Sequence, residues 1–416
     1  MDAKEQNSKI VLLGSAFSPG APINKQDLFA GRINQLNEVL TAVAARGRHV
    51  VVFGERGVGK TSLARILADV ARGAGLVGLR TGTLNCSVDD DFNSVWRKVF
   101  RDLAVVREVQ GIGFQSETKS DVVTLERVLD AFSPDAPATP DDVRQALGHL
   151  GECIIIIDEL DRIRHDQFSG QLADTLKTLS DHSVPATVVL VGVADSIDEL
   201  IAEHASVERS ITQVHMPRMS RDELVVILEK GYEAVGMSVD PGAAARIAAL
   251  SRGLPHFTHL LGQQAGIRAV RANESVVSSA HISAALASAV RNTAQSIQRS
   301  YHEATFSPRT NTHHPAVLLA CALVPTDDLG FFAASDVRAP LSKIMGRDVD
   351  IPAFAKHLND FSSSVRGPVL QKVGTTRRFR YRFINPLLQP FVILKGVEEG
   401  RVTDEMLAQS EYARPR

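Results

Sequence analysis

Hydrophobic positions in the first half of the chain follow two alternating spacings. Continuous apolar runs at residues 49–53, 154–157 and 187–193 lack polar alternation, which is typical of parallel strands buried on both faces. Between these runs, apolar residues recur at helical spacing over residues 60–72 and 92–103. Strands that alternate with helices predict an α/β domain built on a parallel sheet.

The pattern changes after Ser220. Helical spacing then dominates and predicts helices at residues 221–234, 241–251, 257–272 and 281–301. We interpret this segment as a helical lid on the α/β domain.

A third pattern follows the polar stretch at residues 305–314. It contains a helix at 315–323, further helical candidates that include 352–361, and short strands near 369–373 and 379–383. Helices followed by two short strands predict a winged helix.

Charge and cysteine content narrow the class of protein. The 416-residue chain has a formal net charge of -2, so it has no general attraction to nucleic acid or acidic membranes. Its three cysteines lack metal-site or disulfide spacing, which indicates a reduced environment. The N-terminus has no apolar core of signal-sequence length, and the longest apolar run, at residues 317–324, is less than half a membrane span. We therefore expect a cytoplasmic protein without a membrane partner.

Residues 54–61, GERGVGKT, match the phosphate-binding pattern GxxxxGKT directly after an apolar strand and at the start of a helix. The glycines let the backbone wrap tightly enough for its amides to point at phosphates, and the helix N-terminus adds favourable potential. The alternative is a glycine-rich turn without a chemical role. We predict that this P-loop binds ATP through Gly54, Glu55, Arg56, Gly57, Val58, Gly59, Lys60, Thr61 and Ser62.

Four side chains carry the predicted chemistry. Lys60 would neutralise the β- and γ-phosphates, and the Thr61 hydroxyl would bind Mg²⁺. Asp158 follows four isoleucines at the carboxyl end of a strand, where it can support the metal. Glu159 is the candidate general base for the attacking water; the alternative is a surface carboxylate. The predicted cofactors are therefore ATP and Mg²⁺.

Together these segments resemble a known family. The P-loop and the segments FAGR, IIIIDELDR, LVGVAD and HMPRMSRDEL resemble the AAA+ core of origin-recognition and archaeal replication-initiator ATPases; STAND-type signalling ATPases share much of this pattern. They begin at residues 29, 154, 190 and 215. The resemblance implies a P-loop NTPase core with an ASCE parallel sheet, a helical lid, nucleotide at their junction and a C-terminal winged helix.

The resemblance assigns three further residues, two of which depart from the initiators. Asp195 stands where they usually carry asparagine, so an acceptor replaces a donor near the γ-phosphate. His256 replaces the lid arginine, which implies slow hydrolysis because histidine is only partly charged near neutrality. Arg209 lies where the superfamily supplies an arginine finger to a neighbouring subunit. The alternatives are structural roles for the first two and a solvated side chain for Arg209.

A basic segment near the C-terminus suggests a partner. Arg378, Arg380 and Arg382 alternate with aromatic residues, so on a strand the cations would occupy one face. Together with Arg377, they form the predicted DNA-binding set for phosphate contact by a wing. The alternative is a winged helix that contacts protein.

Two functions fit these residues. One is a Mg-dependent, ATP-hydrolysing switch whose winged helix couples nucleotide state to duplex DNA. The other is a STAND-like signalling or defence ATPase that regulates an effector protein without binding DNA. In both we expect a homo- or hetero-oligomer in the ATP state. The predicted domains are an N-terminal extension (1–28), an AAA+ nucleotide-binding core (29–218), an α-helical lid (219–304), a winged-helix domain (305–400) and a C-terminal tail (401–416).

Overall fold

The computed structural model describes residues 2–19, 31–73, 80–109, 137–193, 207–307, 312–375 and 378–410. Two residues with predicted roles, Asp195 and Arg377, lie outside these ranges, as do the first two residues of the FAGR segment.

A five-stranded parallel sheet forms the centre of the first half of the chain. Its order is β2-β3-β4-β1-β5, so β4 separates the P-loop strand β1 from the acidic strand β3. The edge strand β5 does not appear among the predicted strands, because only its first and fourth residues are buried. The strands are β1 His49–Phe53, β2 Arg80–Asn85, β3 Cys153–Asp158, β4 Ala186–Gly192 and β5 Ile211–His215.

Helices cover both faces of this sheet, which is why its central strands are apolar without alternation. Val50 and Val52 of β1 pack with α2 and α3, whereas Val51 belongs to the core under α4, α5 and α6. These helices are α2 Ile33–Ala44, α3 Lys60–Gly73, α4 Phe92–Val109, α5 Pro140–Leu150 and α6 Phe168–Asp181.

The helical segment after the sheet contains α7 Arg221–Glu233, α8 Pro241–Ser251, α9 Pro255–Arg271, α10 Ser279–Asn292 and α11 Gln295–Thr305. Two short parallel strands, β6 Ser238–Val239 and β7 Val276–Val277, join its loops. The prediction of one helix over 281–301 was wrong. Non-helical backbone at Thr293 and Ala294 separates α10 from α11, and the Gln298 side chain donates to the Thr293 carbonyl at 2.7 Å.

The N-terminal segment forms a helix that was not predicted, α1 Ala3–Ala16, capped by the side chain of Asp2. Phe17 follows it, is fully buried and packs edge-on against Tyr232. A Cβ at Gly231 or Gly262 would lie within 3 Å of the Phe17 ring, so these glycines leave the space that the ring fills. The N-terminal segment is therefore anchored on the lid.

The C-terminal region is continuous with the lid. Helices α12 His314–Leu323, α13 Ala334–Met345 and α14 Ile351–Phe361 accompany an antiparallel sheet of order β8-β10-β9. Its strands are β8 Phe332–Ala333, β9 Leu370–Val373 and β10 Arg380–Phe383, followed by α15 Leu388–Glu398 and α16 Asp404–Gln409. One hydrophobic core joins these elements to α7–α11. No helix in the described part of the chain is long and apolar enough to cross a membrane.

Candidate functional site

The P-loop turns from β1 into α3 with backbone angles that favour glycine. Gly54 has φ +147°, and a Cβ there would lie 2.5 Å from the Met216 carbonyl oxygen. Helix α3 begins at Lys60, so its first amides face the loop. The sequence motif therefore adopts the strand, loop and helix arrangement that phosphate binding requires.

A cavity of about 660 Å³ opens beside this loop. Its wall includes Asp158, Glu159 and His256, together with the loop residues Arg56, Gly57, Gly59, Lys60, Thr61 and Ser62. Gly54, Glu55 and Val58 do not line it. The structure thus brings most of the predicted nucleotide-site residues to one cavity between the sheet and the lid.

Lys60 is nearly buried and folds back over the loop. Its Nζ donates to the carbonyl oxygens of Gly54 and Glu55 at 2.9 and 2.8 Å. Burial lowers the pKa of Lys60 to about 8, against the opposing effect of nearby carboxylates led by Asp161. The ammonium is thus held at the loop and poorly hydrated, which strengthens its attraction for an anion.

Asp158 and Thr61 are in contact at the P-loop. The Thr61 hydroxyl donates to the Asp158 carboxylate, and the Glu159 amide also donates to Asp158 at 2.7 Å. Asp158 is 5% exposed, and burial raises its pKa. Two hard oxygen ligands therefore lie side by side in a site where the carboxylate is largely shielded from solvent.

Glu159 lies on the cavity wall but its carboxylate is engaged. It accepts a hydrogen bond from Arg162 Nη1 at 2.7 Å, and its backbone adopts a left-handed conformation with φ 58°. The side chains of Glu159 and Arg162 are both about half exposed. The predicted general base thus faces a cation of its own segment.

Asp161 and Arg32 are among the cavity residues that were given no role from the sequence. Asp161 Oδ1 accepts from the Val193 amide at 2.8 Å, which joins the end of β3 to the end of β4. Arg32 is 1% exposed and donates to the carbonyls of Val58 and Pro217. Arg32 appeared only as the last letter of FAGR; no spacing rule ties it to the P-loop.

The residues assigned by resemblance have different surroundings. His256 Nδ1 lies 2.7 Å from the Pro19 carbonyl oxygen, and burial lowers the pKa of His256. Arg209 is exposed in the short 3₁₀ helix Glu208–Ser210 and does not line the cavity of its own chain. The roles of both residues remain predictions, as does that of Asp195.

The C-terminal region touches the P-loop from outside the cavity. Arg218 binds Glu55 at 2.6 Å, and its Nη1 donates to Gln389 Oε1 at 2.5 Å. Gln389 is fully buried and donates in turn to the Ala322 carbonyl at 2.9 Å. Leu387 lies against Gly57, where an added Cβ would come within 2.9 Å of it. The P-loop and the C-terminal region are therefore in direct contact.

The basic strand β10 has the predicted alternation: Tyr381 and Phe383 are buried, and Arg380 is exposed. Two of its cations have partners. Arg380 pairs with Asp327 at 2.6 Å, and Arg382 donates to Gln371 at 2.6 Å. Arg378, which also belongs to the predicted DNA-binding set, is exposed.

The sequence and the fold of this chain are similar to those of known proteins. The family model for Novel STAND NTPase 1 matches residues 21–322. The Walker-type ATPase paby2304 of Pyrococcus abyssi is 14% identical with a TM-score of 0.52, over 91% of this chain and 99% of that one. A search of curated protein sequences finds no match.

Two other solved structures are similar with lower scores. Cdc6p of Pyrobaculum aerophilum is 14% identical with a TM-score of 0.45, over 94% of this chain and 99% of that chain. The Orc1 protein of Aeropyrum pernix, solved in complex with DNA, is 16% identical with a TM-score of 0.45, over 95% of this chain and 97% of that chain.

The family model covers more than half of the chain, so it decides the family. The predicted resemblance to STAND-type ATPases is confirmed by the family model, as is ATPase activity with the nucleotide binding that it requires. The chain belongs to the Novel STAND NTPase 1 family and is an ATPase with an α/β P-loop fold.

Proposed function

We propose that this ATPase is a Mg-ATP switch whose C-terminal region reports the state of the P-loop to a partner protein. The observation that carries the proposal is Arg218, which joins Glu55 of the P-loop to Gln389 of the C-terminal region. Both members of the ion pair are about nine-tenths buried. A buried pair loses much free energy when one partner moves away, so a displaced P-loop has a direct effect on the docked region.

The donor set fits Mg²⁺. The Thr61 hydroxyl and the Asp158 carboxylate are hard oxygen ligands in contact with each other, and the pKa of Asp158 is raised because burial disfavours its charged form. These two residues would hold the metal, and Lys60 would hold the β- and γ-phosphates. When bound, the metal supplies charge neutralisation at the transferred phosphoryl group.

Hydrolysis is assigned to Glu159 as the base for water. Its carboxylate must first separate from Arg162, which supports slow turnover and a long-lived ATP state. The neutral His256, in the place of a lid arginine, supports the same conclusion because it adds no fixed cation at the phosphates.

The hydrophobic cores indicate which parts of the molecule move together. The helical lid and the C-terminal region share one hydrophobic core, whereas the contacts of the α/β core with the C-terminal region include those of Arg218 and Leu387. We therefore infer that lid and C-terminal region move together against the α/β core when the nucleotide changes.

The test compares Arg218→Met with Arg246→Met. Arg246 pairs with Asp404 at 2.9 Å and so joins the lid to the C-terminal helix without touching the P-loop. Hydrogen exchange across residues 312–410 is measured with ADP and with a non-hydrolysable ATP analogue. We expect a nucleotide-dependent difference in the wild type and in Arg246→Met, and its loss in Arg218→Met. An unchanged difference in Arg218→Met would exclude the proposed coupling.

DNA coupling is the second candidate. The order of α12, α13 and α14 before the β9 and β10 hairpin supports a winged helix within residues 305–400, and exposed Arg378 supports phosphate contact. The partners of Arg380 and Arg382 within the domain favour a protein partner instead. Duplex binding by the full chain at 50 and 200 mM salt decides this: DNA coupling requires strong salt dependence and a loss with Arg378→Glu.

The role of Arg209 and the bounds of the domains also belong to the proposed switch. The exposed Arg209 is proposed as an arginine finger toward a neighbouring copy in the ATP state. The five domains are proposed with their predicted bounds, and the extension at residues 1–28 includes a helix packed on the lid. Turnover that rises with protein concentration in the wild type but not in Arg209→Ala would support the finger; equal behaviour would exclude it.

A further inference from the structure

His259 is a buried polar side chain on the wall of the nucleotide cavity. It lies on α9 one turn after Pro255, and both line the cavity because residues four apart share a helix face. The imidazole is 5% exposed, and neither ring nitrogen has a hydrogen-bond partner among the residues that the structure describes. Buried polar groups are normally paired, so this ring points to a ligand that supplies the missing bond.

The ring is neutral and its position is fixed. Burial lowers the pKa of His259 to about 4, with a smaller contribution from His256. A neutral imidazole carries one donor and one acceptor, unlike a phosphate-binding cation. Phe17 packs against it in a T-shaped arrangement with ring centroids 6.0 Å apart, so one side of the imidazole is closed by the N-terminal segment.

The wall around His259 differs from the P-loop wall. The cavity residues Met219 and Ile227 are apolar and almost fully buried, whereas the P-loop contributes Lys60 and Thr61. An apolar wall with one neutral hydrogen-bonding ring suits a flat heteroaromatic ring that has donors and acceptors on its edge. The base is the part of a nucleotide with that chemistry.

We propose that His259 recognises the base of the bound nucleotide through a hydrogen bond from a ring nitrogen to the purine edge. The assignment rests on the proposed seating of the phosphates by Lys60 and the P-loop. It makes His259 a determinant of affinity for nucleotides but not for their phosphates alone.

Thr258→Val supplies a matched control. Thr258 is the preceding residue on α9, is fully buried, has an unpartnered hydroxyl among the described residues and does not line the cavity. Its replacement removes a buried polar group from the same helix without changing the cavity wall.

The experiment measures dissociation constants by calorimetry for ADP, 7-deaza-ADP, purine riboside diphosphate and pyrophosphate, which avoids turnover. We expect His259→Leu to weaken ADP binding about tenfold and to leave pyrophosphate unchanged, the size of one lost hydrogen bond. The wild type should bind at least one analogue more weakly than ADP, and His259→Leu should lose that difference. Thr258→Val should match the wild type throughout.

The proposal is overturned if His259→Leu weakens ADP and pyrophosphate equally, or if every analogue difference persists in that variant. His259→Phe, which fills the ring volume, replaces His259→Leu if the latter does not fold. Failure of the proposed phosphate site gives a separate result: Lys60→Ala would then bind ADP and pyrophosphate as tightly as the wild type.

Discussion

The Glu159 carboxylate accepts a hydrogen bond from Arg162 at 2.7 Å, three residues later in the same acidic segment. Both side chains are about half exposed, so the pair is accessible to water. A carboxylate oxygen that is engaged by a guanidinium cannot accept from an attacking water until the pair separates. The same pair also turns the carboxylate toward Arg162. Arg162 is therefore a restraint on the proposed base.

We predict that Arg162→Ala raises ATP turnover by about two- to fivefold, because it frees Glu159. The free energy of unfolding should change by less than about 1 kcal/mol, since exposed ion pairs contribute little. Steady-state phosphate release measures the rate. Arg144→Ala, which breaks the Arg144 to Asp141 pair of the same spacing on α5, should leave turnover unchanged. If Arg162→Ala instead abolishes turnover as Glu159→Gln should, Arg162 acts on the nucleotide itself.

How far the sequence predicts this molecule depends on the range of the interaction. The P-loop and the end of β3 were predicted because local spacing carries their signal, and the structure joins them in one cavity. The Arg218 to Glu55 contact and the position of Arg32 were not, because they join residues far apart in sequence and no local pattern marks them.

Weak periodicity explains the fold elements that were missed. Strand β5 is an edge strand with only two of its five residues buried, so it lacks a continuous apolar run. Helix α1 has only Leu13 and Ala16 buried, and Phe17 just beyond it provides the fully buried aromatic contact with the lid. Burial by a distant element, rather than local pattern, determines both.

Lys60 gives a pH dependence of nucleotide binding. Its pKa of about 8 in the free protein means that the side chain loses its proton above this pH, well before its ordinary value of 10.5. Bound phosphates favour the charged form, so binding takes up a proton and ATP affinity should fall by up to about tenfold per pH unit above 8. Calorimetry from pH 7 to 9.5 measures this. Lys60→Arg stays charged and should show no such slope; an equal slope in both would assign the effect elsewhere.

The lowered pKa of Lys60 also affects the stability of the fold. Its effect on stability has the opposite dependence on pH from its effect on ATP binding. Between pH 8 and 10.5 the unfolded chain binds more protons at Lys60 than the folded chain. The contribution of Lys60 to the free energy of unfolding therefore rises with pH in this window. Binding and stability should thus change oppositely as pH increases.

His49 predicts loss of stability in mild acid. It is fully buried at the start of β1, where its ring bridges the Leu176 carbonyl and the Val188 amide, and burial lowers its pKa to about 4. Between pH 6.5 and 4 the unfolded chain binds more protons, so stability falls as pH decreases through this range, by about 2 kcal/mol from pH 7 to 5.

Urea unfolding followed by the single tryptophan, Trp96, measures this effect because Trp96 lies in the core of the same α/β unit. His49→Gln should reduce the slope of the free energy of unfolding against pH by the equivalent of about one bound proton. The exposed His182 provides the control, since His182→Gln should leave the slope as in the wild type. An unchanged slope in His49→Gln would show that other groups cause the acid loss.

Phe17 links the N-terminal helix to the nucleotide cavity. Its ring occupies the space above Gly231 and Gly262, and the next two residues, Ser18 and Pro19, line the cavity. Phe17→Ala leaves that space empty and should cost about 3–5 kcal/mol in the packing of α1 on the lid. We expect faster hydrogen exchange in residues 3–16 and weaker ATP binding. Leu12→Ala, on the same helix but 49% exposed, should change neither. Full protection of α1 in Phe17→Ala would mean that other contacts hold this helix, whereas weaker ATP binding with α1 still protected would mean that Phe17 acts on the cavity directly.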